Sequence, residues 1–403
     1  MNSLGVKEKI VLTHGLPSAS LMVSVGDLSA DKHTSKLINK LKSLQPNLHI
    51  WGLGSSAMRE AGAEILYDCQ EFSSIGIVGV LKIIPFLAQV RQTLMKEIEK
   101  RQPKAVLLVD YGGFNLILAR TIRSRYKNLP IYYFISPQVW GSRPWRMHTI
   151  ANTITKMLVI FPFEENLYAK KNIPVTFVGH PLTKNLPDSK DLLDRKQFAS
   201  KYNLDPVQPI ISIFPGSRKN EIKNLLPVTL TAIKKLNKER PEVQFAISQA
   251  NKDLAATIEK TVNSDPLLAK ITKLISSEDS YSLMSVCDLA WAKSGTTTLE
   301  LTLFAKPMLI FYRADWISYL IFLAFKRTHK VGWPNLLAGK DLIPELIQLD
   351  CSPEKLVQYS KDILDVPGLG KEISLELMAL KNKLGEGNYA ESCASELAQV
   401  LSN

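Results

Sequence analysis

The sequence predicts an α/β protein made of two doubly wound, Rossmann-like parallel-sheet domains facing across a cleft, followed by C-terminal helices. Three observations predict it. Short apolar runs alternate with helix-like stretches through most of the 403 residues, the pattern of parallel strands joined by helical crossovers. Two small-residue turns, Phe214-Pro-Gly-Ser-Arg-Lys-Asn-Glu221 and Ala292-Lys-Ser-Gly-Thr-Thr-Thr-Leu-Glu300, each follow an apolar run and lead into a helical pattern. Between the halves, over 183–209, Pro187, Pro206 and Pro209 interleave with charges and the apolar periodicity fades.

Taken in order, strands are expected at 21–25, 48–53, 105–109, 131–135, 157–160 and 175–178, then at 209–214, 243–247, 287–292 and 308–312. Helices are expected at 31–44, 81–101 and 115–126. From 352 onward the chain reads as helices alone, ending in 374–401 with a break at Gly385 and Gly387. The expected domains are therefore 1–185, 186–350 and a helical extension over 351–403. In such sheets, ligands sit outside the carboxyl ends of the strands.

A hydrophobic fraction of 45% and a charged fraction of 22% are those of a soluble globular protein. No run approaches the roughly 18 uninterrupted apolar residues of a spanning helix. The first 13 residues are short of apolar side chains and carry Lys7, Glu8 and Lys9, so no secretory leader is expected. The four cysteines are far apart and form no CxxC pair, which fits a reduced, cytoplasmic setting. The net charge of +12 fits phosphorylated substrates, anionic membrane surfaces or nucleic acid. Without zinc-finger spacing, an aromatic RNP-like strand or a lysine-rich tail, nucleic acid is the weaker reading. There is no HExxH, no Asp-x-Asp and no clustered Cys/His, so neither a metal site nor a cofactor is expected.

The two turns carry the chemistry. Backbone N–H groups at a helix N-terminus, aided by the helix dipole, favour an anion. Gly216 and Gly295 allow tight turns, while Ser217 and Thr296–Thr298 offer hydroxyls. Arg218 can fork two hydrogen bonds onto phosphate. Either turn alone is an ordinary βα turn with Ser/Thr caps; together they read as a diphosphate seat, hence a nucleotide-linked donor. Glu300, one turn into its helix, is suited to ribose hydroxyls or simply to the dipole.

The turn Asp110-Tyr-Gly-Gly-Phe-Asn115 puts an acid at the end of a buried strand, a costly placement unless it is hydrogen-bonded or functional. Partial desolvation would raise its pKa, which makes Asp110 a candidate general base. In the first turn, Gly26 permits the bend, Ser29 is a possible helix cap, and Asp27, Asp31 and His33 bring titratable groups. Trp140, Arg143, Trp145 and Arg146 form an aromatic and basic cluster suited to a sugar or phosphate, or to snorkelling on a helix. Gly52-Leu-Gly-Ser-Ser-Ala57 reads as a tight turn rather than a dinucleotide fingerprint. The stretch 75–94, with Ile77, Val78, Val80, Leu81 and Ile84 beside Lys82 and Arg91, suits membrane-surface contact or a core helix. The stretch 316–327 reads the same way.

In this order the motifs resemble the lipid-A-disaccharide synthase family over nearly the whole chain. The resemblance rests on Ile75-Gly-Ile-Val78, the Asp110…Phe114-Asn115 turn, Ser136-Pro-x-Val-Trp140 and Phe161-Pro-Phe-Glu164. Gly179-His180, Pro215-Gly-Ser-Arg218, Ser294-Gly-Thr296 with Glu300, and Pro334-Asn-Leu-Leu-Ala-Gly339 add to it. It implies a GT-B fold and transfer of 2,3-diacylglucosamine from UDP to 2,3-diacylglucosamine 1-phosphate, giving a β-1,6-linked disaccharide 1-phosphate. It implies Asp110, with Asp27 beside it, as the catalytic acid residues. Gly216, Ser217, Arg218, Glu221, Ser294, Gly295, Thr296, Thr297, Glu300 and Asn335 would lie on the donor. Ser29, Trp140, Arg146 and the 75–84 side chains would serve the acceptor and the cytoplasmic face of an inner membrane. An oligomer is left open.

The sequence departs from the family pattern at four places. Asp27 and Ala30 stand where Glu and Gly are usual, and Gly79 and Gly113 stand where acids are usual. The thinner acidic side keeps two other readings in view: a related GT-B transferase with a different acceptor, and a non-catalytic lipid- or nucleotide-binding paralogue.

Overall fold

Ala105–Val109 is apolar throughout and Ile210–Phe214 is apolar but for the small Ser212, so both faces can be buried, and each becomes an interior parallel strand. In a computed structural model, which describes residues 19–73, 80–249, 251–315, 319 and 330–402, the chain forms two α/β units. The first comprises its described residues up to Val139, together with Trp145–Gly179 and the chain from Asn388. The second comprises Trp140–Pro144 and the described residues between His180 and Gly387.

The first unit holds seven strands: β1 (Ser20–Val25), β2 (His49–Gly54), β3 (Glu64–Asp68), β4 (Ala105–Val109), β5 (Ile131–Phe134), β6 (Lys156–Val159) and β7 (Val175–Phe177). Their order is β3-β2-β1-β4-β5-β6-β7, all parallel. The second holds six: β8 (Ile210–Phe214), β9 (Gln244–Gln249), β10 (Thr272–Ser276), β11 (Leu289–Lys293), β12 (Met308–Tyr312) and β13 (Glu345–Ile347). Their order is β10-β9-β8-β11-β12-β13, again all parallel. Each sheet reverses its direction of growth once, between β1 and β4 and between β8 and β11. These switch points are where such sheets open a crevice for ligands.

Three strands, β3, β10 and β13, were not among the expected ones, and all three are sheet edges. The GlyLeuGly run is not a tight turn. Gly52 and Gly54 lie inside β2, where Gly52 adopts φ +146° at a register shift and a Cβ would come within 2.0 Å of the Val23 carbonyl oxygen.

The expected helical extension over 351–403 is divided between the units. Helices Pro353–Asp365 and Leu369–Lys383 belong to the second, while Tyr389–Leu401 packs on the first sheet. There Tyr389 stacks on Phe134 at 5.8 Å and meets His33 edge-on at 5.9 Å. Glu396 accepts from Lys156 at 2.7 Å and from Thr176 at 2.8 Å. Burial pushes the His33 imidazole down to about 4, so it stays neutral at neutral pH and is no proton carrier there.

Among the described residues no helix is long and apolar enough to cross a membrane. Ile77, Val78 and the 316–327 stretch, Tyr319 excepted, lie outside the described residues, as do the side chains of Val80 and Leu81. Ile84, on helix Val80–Arg101, is exposed.

Candidate active site

In the first unit, Val25 of β1 pairs with Val109 of β4, so the residues after each emerge side by side at the switch point. These are Gly26-Asp27 and Asp110-Tyr111. Asp110 and Tyr111 both adopt φ 45°, and Ile135, at the end of the adjoining β5, adopts φ 58°. Left-handed backbone at non-glycine residues is strained, and strain of this kind gathers at functional sites.

The surroundings hold Asp110 there. Its carbonyl accepts from Asn115 Nδ2 at 3.0 Å and from the Tyr133 hydroxyl, and its N–H donates to the Phe134 carbonyl at 3.0 Å. The buried Asn115 amide also reaches the carbonyls of Val109 and Ser24, and its oxygen accepts from Ser24 Oγ at 2.7 Å. One side chain thus ties the ends of both strands together.

Burial and, behind it, the Asp27 carboxylate push the Asp110 carboxyl up to about 6, against the pull of the Tyr111 amide and Arg146. A carboxylate of that basicity is suited to accept a proton near neutral pH. Arg146, first residue of helix Arg146–Thr153, brings a positive charge to this site.

Three sequence readings change here. Asp27, not Ser29, caps the helix Leu28–Leu44: its Oδ1 accepts from the amides of Ser29 and Ala30 at 2.9 Å. The helix begins earlier than the expected residue 31, which puts Ser29 inside its first turn. Asp31 is drawn away from the site and accepts from the amides of Ser55 at 2.7 Å and Ala57 at 3.0 Å. Gly26 is required less by the turn than by its neighbour, since a Cβ there would come 2.0 Å from the Tyr111 ring. By contrast, a Cβ at Gly113 would meet nothing within 4 Å, so that position opens on free space.

In the second unit, Phe214 of β8 pairs with Ala292 of β11, so the two small-residue turns also lie side by side at a switch point. A cavity of about 500 Å³ opens there, lined by both turns, Lys293 and Glu300 of the second among them, and by Ser248, Ser280 and Tyr281 from neighbouring elements. Gly216, Ser217, Arg218, Gly295, Thr296 and Thr297 all line it.

Glu221 lines the cavity too, but its carboxylate is already engaged. It caps its own helix, Lys219–Glu239, accepting from the amides of Ser217 at 3.0 Å and Arg218 at 3.3 Å. Those amides were expected for a ligand anion. The groups turned to the cavity are instead the exposed Arg218 guanidinium, the hydroxyls, and the start of helix Thr296–Leu303. Glu300 accepts from the Tyr281 hydroxyl at 3.0 Å, and burial raises the pKa of both groups, Tyr281 to about 12.

Ser294 and Asn335 do not line the cavity. Ser294 Oγ donates to the Val331 carbonyl at 3.0 Å. The buried Asn335 amide donates to the Ile343 carbonyl and to Glu345, and its oxygen accepts from the amides of Leu342 and Ile343, each bond 2.7–2.8 Å long. Both residues hold the segment 331–345 in place. Trp140 packs with the second unit, edge-on to Trp333 at 5.9 Å.

The sequence reading passed over Lys293 and Tyr281. A lysine closing an otherwise apolar strand, Leu289-Ala-Trp-Ala-Lys293, was the available signal for the first. Among the described residues no group of three or more His, Cys, Asp or Glu side chains is arranged to hold a metal ion.

Two Rossmann-like parallel-sheet units, the second with a cavity at its switch point, have the architecture of the GT-B class of fold. UDP-GlcNAc 2-epimerase from Neisseria meningitidis, solved with UDP-GlcNAc, matches at TM-score 0.58 and 14% identity, over 94% of this chain and 100% of that one. The glycotransferase of kitacinnamycin matches at TM-score 0.60 and 13% identity, over 96% and 99%. Sequence likeness is more specific. Residues 21–388 match the model of the lipid-A-disaccharide synthetase family. Lipid-A-disaccharide synthase of Geobacter sulfurreducens is 34% identical over 384 residues, covering 95% of this chain and 98% of the relative. That of Coxiella burnetii is 33% identical over 386 residues, covering 96% and 100%. The chain belongs to the lipid-A-disaccharide synthetase family.

Proposed function

We propose that this protein is a UDP-sugar-dependent hexosyltransferase that joins 2,3-diacylglucosamine from its UDP donor to 2,3-diacylglucosamine 1-phosphate, releasing UDP. The observation that carries the reading is Asp110: in a chain of this family, a carboxyl pushed up to about 6 stands at the ligand-binding end of the first sheet.

In this reading the acceptor 6-hydroxyl oxygen attacks the anomeric carbon from the face opposite the diphosphate. The new C–O bond forms as the bond to the diphosphate oxygen breaks, inverting the configuration. Asp110 takes the hydroxyl proton, and Arg146 and Asp27 adjust its basicity. The negative charge gathering on UDP falls to Arg218, the Thr296 and Thr297 hydroxyls, and the helix that starts with them. Glu300, oriented by Tyr281, accepts from the ribose hydroxyls. Ser294 and Asn335 act one step back by fixing 331–345.

The net charge of +12 and the exposed Ile84 support peripheral binding to an anionic membrane surface, where both acylated substrates reside. Sedimentation with anionic vesicles is expected at low salt and is lost at high salt; binding indifferent to salt would contradict the electrostatic part.

The reaction is tested by following UDP release. Release that requires the acceptor is expected, and release unchanged by leaving the acceptor out would sink the reading. At the donor site, Arg218→Ala is expected to weaken UDP binding by about 1.5–3 kcal/mol, roughly tenfold to a hundredfold. Calorimetry giving an unchanged affinity would remove Arg218 from the diphosphate.

A further inference from the structure

Lys293 closes β11 at the switch point, and its Nζ lies 3.0 Å from Glu221 Oε1. Both side chains are largely shielded, 18% and 7% exposed, whereas the Arg218 side chain, whose guanidinium is 3.5 Å from the same oxygen, is 81% exposed. Each glycine turn closes over one member of the pair. A Cβ on Gly216 would come 2.5 Å from Glu221 Oε2, and one on Gly295 would come 3.2 Å from Lys293 Nζ. The ammonium also lies 5.6 Å from the Tyr312 ring centre, so an aromatic face supports it from another side.

A shielded carboxylate beside a diphosphate subsite presents a difficulty. Left unpaired, it repels the ligand, and it meets that ligand in a medium where charges act more strongly than in water. Yet the same carboxylate orders the turn by taking the Ser217 and Arg218 amides.

Resting on the donor-site reading above, we infer that Lys293 is a positioning residue for the donor: its ammonium holds Glu221 on the Ser217 and Arg218 amides and cancels its charge beside the diphosphate. The exposed Arg218 is then released to serve the ligand, while the shielded Lys293 stays with Glu221. The two turns are thereby joined through one ion pair into a single rigid seat.

The test is calorimetric titration of UDP into the full chain and into Lys293→Met, Lys293→Arg, Glu221→Gln and the double variant Glu221→Gln/Lys293→Met. Lys293→Met is expected to weaken UDP binding about tenfold or more, and Lys293→Arg to restore most of the affinity. In the Glu221→Gln background the same Lys293→Met change is expected to have little effect, because no carboxylate remains to be neutralised. Equal losses in both backgrounds would mean that Lys293 touches the phosphate directly and would overturn the inference. Affinity indifferent to Lys293→Met would overturn it as well. If Glu221→Gln does not fold, the contrast between Lys293→Arg and Lys293→Met decides: equal affinities overturn the inference. Failure of the unaltered protein to bind UDP would instead remove the donor-site reading, and this inference with it.

Discussion

Asp110→Asn lowers the rate of sugar transfer by about two to four orders of magnitude and leaves the protein more stable at pH 7 than the unaltered chain. Both effects come from one cause. The carboxyl is pushed from an ordinary 3.8 up to about 6, chiefly by burial. Because the folded state holds this proton more tightly than the unfolded state, the contribution of this group to stability is fully present only below pH 3.8. It falls as pH rises through the window from 3.8 to 6, and above that window the ionised carboxylate destabilises the fold by about 2–3 kcal/mol. Asparagine carries no charge to desolvate. It also tolerates the left-handed backbone at φ 45°, so the change removes the base without disturbing the turn. The transfer rate of the unaltered protein should rise as pH approaches 6 and level off above it, since the base works only when ionised. Urea unfolding at pH 5 and pH 7, beside the pH–rate profile, checks this. A profile flat across that range, or an Asn variant that is fully active, would contradict the assignment.

Gly26→Ala is expected to destabilise the first unit by about 3 kcal/mol or more and to abolish transfer with it. The added methyl would come within 2.0–2.4 Å of Cγ, Cδ1 and Cβ of Tyr111. Ring rotation cannot clear a contact that includes Cβ, so the backbone of Tyr111 must move, and Asp110 precedes it directly. Gly113→Ala is the matched control. It adds the same methyl two residues beyond Tyr111, where nothing lies within 4 Å, and it falls in the first turn of helix Gly112–Arg125. That variant should match or slightly exceed the unaltered protein in stability. Thermal unfolding of the two variants side by side separates them. Equal midpoints would mean that Tyr111 moves aside freely and is not a support for Asp110.

Much of this fold was legible because its interior strands are buried on both faces. β1, β4, β5 and β8 are buried at every position and read as apolar runs, interrupted only by the small serines Ser20 and Ser24 of β1 and Ser212 of β8. The missed strands stand at sheet edges, where water is near and charged residues are tolerated, as in Glu64-Ile-Leu-Tyr-Asp68 and Thr272-Lys-Leu-Ile-Ser276. β7, also an edge, stayed legible because Val175 and Phe177 keep an apolar alternation. For the site, local patterns sufficed where the reason was local: an acid ending a buried strand, and glycine turns opening helices. They failed where the reason was a distant partner. Nothing near Gly26 announces Tyr111, and nothing near Asn335 announces that Leu342, Ile343 and Glu345 take all its side-chain hydrogen bonds. Likewise, nothing near Glu221 announces Lys293.

If the chain is this transferase, it forms a disaccharide phosphate with Asp110 as the base. The most direct measurement is mass spectrometry of the products after purified protein, unaltered or Asp110→Asn, is mixed with UDP-2,3-diacylglucosamine and 2,3-diacylglucosamine 1-phosphate. A tetra-acyl disaccharide 1-phosphate is expected from the unaltered protein and almost none from the variant. No disaccharide from a folded protein that binds UDP would contradict the acceptor, and equal product from both would contradict the base.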